Sequence, residues 1–132
     1  MKKKAHWHVI FYESGNGKCP VRDFLESISK RERAKVVSWV QALEEHGIHL
    51  HRPFADLLEN GIHELRIKLT GDQYRILYFF CYRDYIVLTH EFIKVSEKVP
   101  KKEIKKAEKL RKDFLNRYDL NKIRRMIEND EL

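Results

Sequence analysis

Arg66, Lys68 and Arg75 are the residues whose type and spacing first suggest chemistry. Arg66 and Lys68 stand two apart, so an extended chain puts them on one face. A short intervening segment brings Arg75 near Lys68 on the next strand. A row of cations on an open sheet face can seat a phosphodiester backbone, because a guanidinium presents a fork to two phosphate oxygens and stays charged at any working pH. Other reactive types are less well arranged. His49 and His51 share a histidine-rich stretch with His46 and His63, but no carboxylate or cysteine set accompanies them, so no metal site is expected. Cys19 and Cys81 are the only cysteines and lack CxxC or CxxxC spacing, which fits a reducing compartment without zinc or disulfides.

The hydropathy pattern supplies the elements that must hold these residues. His6 to Tyr12 (HWHVIFY) is rich in β-branched and aromatic types and ends at the turn cluster Glu13-Ser-Gly-Asn-Gly-Lys, which predicts a first strand with His6 and His8 on one side. Pro20 opens a helix with Val21, Phe24, Leu25 and Ile28 at i, i+3, i+4 and i+7. After a break at Ser29-Lys30, a second helix carries Val36, Val40 and Leu43 on one stripe until Gly47 stops it. Ile62 to Leu69 alternates strictly, with Leu65, Ile67 and Leu69 opposite Glu64, Arg66 and Lys68. Gly71-Asp72 turns, Tyr74 to Cys81 is a second β run, Arg83-Asp84 turns again, and Tyr85 to Phe92 is a third, giving an antiparallel meander. From Pro100 the pattern is helical, with Ile104, Ala107, Leu110 and Phe114 as a stripe that Leu120, Ile123 and Ile127 continue after Tyr118-Asp119. The expected fold is α+β in the order β-α-α-β-β-β-α, with a further terminal helix. Its helices are expected on one face of an antiparallel sheet, leaving the other face to solvent or ligand. Trp7 and Trp39 are simplest as core or interface residues, although an exposed aromatic beside the basic face would stack a base.

The chain of 132 residues suits one domain, and its formal net charge of +7 is unevenly placed. Residues 13–93 are nearly balanced, whereas residues 94–125 carry 13 basic against 5 acidic residues. Lys2 to Lys4 add a smaller basic cluster. This asymmetry indicates a polyanionic partner, with nucleic acid ahead of a membrane surface; a solvated lysine-rich helix is the alternative. The apolar run from Tyr74 to Tyr82 contains Arg75 and falls far short of the ~20 residues that span a bilayer. His6, Trp7, His8 and Glu13 interrupt what would be the apolar region of a signal peptide. A soluble cytoplasmic protein is expected.

Taken together, Glu64-Leu-Arg-Ile-Lys68, Gly71-Asp-Gln-Tyr-Arg75-Ile-Leu-Tyr78-Phe-Phe80, His90-Glu-Phe-Ile-Lys94 and Lys98-Val-Pro100-Lys-Lys-Glu103-Ile resemble the RelE/ParE superfamily. The branch they resemble is that of the HigB toxins typified by phage Gp49-like proteins. Phe11-Tyr12-Glu13, Gly17-Lys18, Pro20-Val21, Phe24-Leu25 and Leu57-Leu-Glu-Asn-Gly61 follow the same pattern in order. The resemblance runs from about Val9 to Leu115 and implies a RelE-like toxin domain over residues 1–115; the helical extension expected over 116–132 lies outside it. It implies the toxin of a type II toxin–antitoxin pair, an endoribonuclease that cleaves mRNA in the ribosomal A site without a cofactor. The partners it implies are the ribosome, mRNA and a helix-turn-helix antitoxin, with a dimer of toxin–antitoxin heterodimers among the compatible assemblies. Carried over by position, the catalytic candidates are Arg66, Lys68, Arg75, His90 and Lys94. Where many relatives have a second basic residue after Lys94, this chain has Val95.

Cleaving RNA through its own 2′-OH needs a base near that hydroxyl, cations on the pentavalent phosphorane and an acid at the leaving 5′-oxygen. Arg75 is the choice for the phosphate, with a salt bridge to Glu64 or Asp72 as the structural alternative. Lys68 or His90 would be the base, and His90 is equally readable as a buried, hydrogen-bonded histidine. Lys98, Lys101, Lys102, Lys105, Lys106, Lys109, Arg111 and Lys112 would dock on ribosomal RNA through salt-sensitive phosphate contacts. They would otherwise form a solvated face bearing the Glu108/Lys112 pair. Two non-catalytic functions share the fold: a ParE-like gyrase inhibitor, against which Arg66, Lys68, Arg75 and Lys94 speak, and an RNA- or antitoxin-binding module.

Overall fold

The computed structural model describes residues 7–131; the expectations for Lys2 to Lys4 and for His6 lie outside them. The described elements are β1 (His8–Phe11), α1 (Pro20–Ser27), α2 (Lys30–His46), a 3-10 turn (Gly47–His49), β2 (Ala55–Leu57), β3 (His63–Leu69), β4 (Asp72–Cys81), β5 (Tyr85–Ile93), α3 (Lys101–Arg117) and α4 (Leu120–Glu131). Local chemistry sets several boundaries. Ser29 and Glu32 form a reciprocal capping box that starts α2, the Glu32 N–H donating to Ser29 Oγ at 3.1 Å and the Ser29 N–H to Glu32 Oε1 at 3.2 Å. Gly47 ends α2 at φ +49°, and a Cβ there would lie 2.2 Å from the Trp7 indole, so no other residue fits. The β3–β4 hairpin turns on Thr70 and Gly71, both at positive φ, one residue earlier than the sequence pattern suggests.

The sheet order is β1-β5-β4-β3-β2. The expected meander is present from β2 to β5, but β1 joins the free edge of β5 in parallel, so the sheet is mixed rather than wholly antiparallel. β2 is a fourth member of the meander that the pattern missed, since three residues are too few to show a period.

The helices do not gather on one face. Val21, Phe24, Val36, Val40 and Leu43 of α1 and α2 pack on Leu65, Ile67, Ile76, Tyr78 and Ile86, while Ile104, Ala107 and Phe114 of α3 and Ile123 of α4 pack on Leu77, Phe79 and Val87 from the other side. The cause lies in the central strands: β4 and β5 are apolar at consecutive positions, and such strands need cover on both faces. α3 crosses residue 115 without a break, and Ile123 beyond it is fully buried. The Tyr12 hydroxyl donates to Asp113 Oδ2 at 2.6 Å and Arg117 bonds the same oxygen at 2.8 Å, tying α3 to the first strand.

One irregularity decides which residues share the α3 face. Leu77 opposes His90 and Tyr78 opposes Leu88, which leaves Thr89 as an extra residue in β5. The bulge reverses the alternation beyond it. Tyr85 and Val87 face α3 before it, and His90, Phe92 and Lys94 do so after it.

Candidate functional site

Cross-strand register assembles the site in three rungs on the α3 face. Glu64, Leu77 and His90 form the innermost, Arg66, Arg75 and Phe92 the next, and Lys68 and Gln73 the outermost. Lys94 joins the outermost rung through its backbone N–H, which donates to the Gln73 carbonyl at 2.7 Å. The register thus brings all five sequence-predicted catalytic residues to one end of the sheet. It places Arg75 opposite Arg66, and Lys68 opposite Gln73.

Their surroundings differ. Arg75 is 5% exposed and every nitrogen of its guanidinium is occupied: Nε donates to Glu64 Oε1 at 2.7 Å, Nη1 to the Tyr74 carbonyl at 3.1 Å and Nη2 to Gln73 Oε1 at 3.0 Å. The salt bridge to Glu64 is the structural alternative already visible in the sequence. Glu64, 3% exposed, turns its other oxygen to Arg66 Nη2 at 3.3 Å, and Asp56 lies 3.6 Å from the same nitrogen. Arg66 Nε is buried and has no hydrogen-bond partner among the described residues. A buried N–H left without an acceptor is costly, and a phosphate oxygen would satisfy it.

His90 is 1% exposed and sits behind the cations. Its Nε2–H donates to Glu103 Oε1 at 3.1 Å, and Nδ1 lies 3.0 Å from the Thr89 hydroxyl at the bulge. Burial is the main influence on this ring and holds its pKa below the usual histidine value, while the Glu103 hydrogen bond opposes it. The Thr89 hydroxyl itself donates to the Leu77 carbonyl at 3.1 Å, and His90 ties β5 to the first turn of α3 through Glu103. His63 is likewise pushed down by burial; it stacks on Tyr78 with ring centroids 5.1 Å apart.

Above the rungs opens a cleft of about 800 Å³ lined by Arg52, Glu64, Arg66, Lys94, Lys98 and Lys101, among others. Its far wall is the N-terminus of α3, where no side chain caps the helix and Lys101 and Lys102 occupy the positive end of the dipole. Glu103 in the same turn supplies an anion that offsets them. Of the predicted docking residues, Lys98 and Lys101 line this cleft, and Lys102, Lys105, Lys106, Lys109 and Lys112 are exposed along α3. Arg111 is committed elsewhere: Nη1 donates to the Asn60 carbonyl at 2.6 Å, pinning the loop before β3. Val95 is 91% exposed beside the cleft. A second cleft, of about 340 Å³, meets the first at Arg66 and is lined by Trp39, Phe54, Lys68 and Gln73.

Glu64 and Asp56 are the site residues that sequence reasoning underweighted. Glu64 shares the parity of Arg66, which was the available signal; Asp56 lies on the strand the pattern did not show. His49 and His51 do not belong to this site: His49 is edge-on to Trp7 and His51 is bonded to the Arg52 carbonyl. Among the described residues no group of three or more His, Cys, Asp or Glu side chains converges on one point. No described helix is long and apolar enough to cross a membrane.

A sequence model of the phage-derived protein Gp49-like family (DUF891) matches residues 23–112, more than half of the chain. The chain belongs to this family. The Gp49-like family is part of the RelE/ParE-like toxin branch, so membership makes the chain toxin-like, and the match covers all three rungs and most of α3. No curated protein matches the chain.

Proposed function

We propose that this Gp49-like chain is the toxin of a type II toxin–antitoxin pair and cleaves mRNA in the ribosomal A site by metal-independent attack of the 2′-OH. The observation that carries the reading is the unpartnered Nε–H of Arg66 at the meeting point of two cation-lined clefts. Arg66 takes the scissile phosphate, its bonds to Glu64 and Asp56 being long enough to exchange for phosphate oxygens. Lys68 and Lys94 flank that phosphate from strands on either side of β4, roughly 10 Å apart at the backbone. Lys68 accepts the 2′-OH proton as the oxygen attacks phosphorus. The P–O5′ bond breaks, Lys94 protonates the leaving oxygen, and a 2′,3′-cyclic phosphate remains. Arg75 and His90 act as positioning residues: Arg75 fixes Glu64, which orients Arg66, and His90 anchors the first turn of α3. The lysines of α3 dock on ribosomal RNA, and a helix-turn-helix antitoxin neutralises the toxin in the cytoplasm.

Induced expression followed by mapping of mRNA 5′ ends tests this. Cuts within codons of a translated message, and none in the same message without its start codon, are expected; cleavage of naked RNA would overturn the A-site mechanism. The internal pairing of Arg75 and His90 favours a second reading, in which the chain acts by binding alone. Growth arrest with no new 5′ ends would establish that one instead.

A further inference from the structure

The smaller cleft has features that the cleavage scheme does not use. β2 pairs with residues 63–65 and the Arg66 N–H donates to the Phe54 carbonyl at 2.9 Å, so β3 from Ile67 to Leu69 borders an open edge, and the cleft lies there. Its apolar wall is an aromatic pair: the Trp39 and Phe54 rings lie 5.1 Å apart with 35° between their planes. Phe54 is 41% exposed. The opposite wall is polar, with Arg66, Lys68, Gln73 and Arg75. Because Gln73 Oε1 accepts from Arg75 Nη2, the Gln73 amide is held with its NH₂ free to donate. The cleft therefore offers π-faces on one side and cationic and amide donors on the other, in a volume of about 340 Å³.

A ligand complementary to both walls is flat, aromatic, rich in acceptors and attached to an anion. An apolar protein segment would meet the first wall but offer no acceptor to Lys68. We infer that this cleft is a nucleobase subsite, in which a base of the RNA strand stacks on Phe54 and Trp39 while its phosphate reaches Arg66 and Lys68. The inference rests on the RNA-cleaving reading and adds to it a residue pair that holds the nucleotide beside the scissile phosphate. Stacking on an aromatic side chain is sequence-tolerant and strengthens binding by roughly tenfold per base.

The test uses the purified full chain and a fluorescent 2′-O-methyl trinucleotide, which binds but cannot cleave through a 2′-OH, beside the same backbone made abasic. Anisotropy is expected to show the trinucleotide bound about tenfold more tightly than its abasic form. Phe54→Leu should remove that difference, and Phe54→Tyr should keep it. Equal affinity for the two probes, no binding up to millimolar trinucleotide, or a difference that survives Phe54→Leu would each overturn the subsite. Loss of antitoxin association in Phe54→Leu with the base dependence intact would assign the cleft to a protein partner. Circular dichroism checks that each variant is folded. The outcome separates from that of the parent reading: translation-dependent cleavage without base-dependent binding removes the subsite alone, and base-dependent binding without any cleavage removes the nuclease alone.

Discussion

The cations at the end of the sheet and those along α3 carry the same charge under opposite constraints. Arg75 is buried and bonded through every guanidinium nitrogen, and Arg66 is held between Glu64 and Asp56. Lys102, Lys105, Lys109 and Lys112 are exposed and make no ion pair among the described residues. A buried cation is stable only while its partners stay in place, so its geometry is fixed; an exposed lysine keeps its hydration and its rotamer freedom. Fixed geometry suits a group that must meet one phosphate in one orientation, and loose geometry suits adhesion to any phosphate backbone. The net charge of the chain measures mainly the second kind.

Removing Glu64 breaks the comparison most severely. Glu64→Ala leaves the Arg75 guanidinium buried without its carboxylate and should cost ~3–5 kcal/mol in urea unfolding. A Glu64→Leu/Arg75→Met double variant should recover most of that loss, because the remaining groups are apolar and close to isosteric; a double variant as unstable as the single one would refute the pairing as the cause.

Arg66→Ala separates stability from chemistry. With one face toward the cleft, it should unfold within about 1 kcal/mol of wild type while cleavage of translated mRNA falls by ~10²-fold, the scale of one positioned transition-state donor. Cleavage within twofold of wild type would remove Arg66 from the site.

Neutralising Lys102, Lys105 and Lys109 together acts on the other population. Ribosome association should weaken several-fold at low salt, and the slope of log affinity against log salt should fall by roughly 0.7–0.9 for each lysine that contacts a phosphate. An unchanged slope would mean that the α3 face is solvated and nothing more.

The smallest effect is one of pH. Burial lowers the pKa of His90 and of His63 relative to the unfolded chain, so the unfolded state binds more protons below the ordinary histidine value near ~6.5. Stability should therefore be full above that pH and decline as pH falls toward the folded-state values. His90→Asn should flatten the acid side of a denaturation-midpoint profile; an unaltered profile would show that His90 is not buried neutral.

Much of this arrangement was legible in the sequence, because its signals were local. Alternation from Glu64 to Leu69 located β3 and put Glu64, Arg66 and Lys68 on one face, and Ser29 and Gly47 marked the ends of α2. What was not legible depends on contacts between elements. The stripe from Ile104 to Phe114 shows that α3 buries one side, but not which face of the sheet it covers. The bulge at Thr89 has no motif of its own, yet it decides that His90 and Lys94 join the arginines. β2 is too short to carry a period, which hid Asp56. Parity alone put Arg75 on an open face; its burial follows only once Glu64 is counted as its partner.

The central claim is that placed cations perform the chemistry and solvated ones perform the docking. Single-turnover cleavage on ribosomes programmed with a defined message, measured over a range of toxin concentrations, tests it most directly. Arg66→Ala should lower the saturating rate by ~10²-fold with little change in half-saturation, and the triple α3 variant should raise half-saturation with the saturating rate unchanged. The reverse assignment, with Arg66→Ala altering only half-saturation or the α3 variant lowering the saturating rate, would contradict the account.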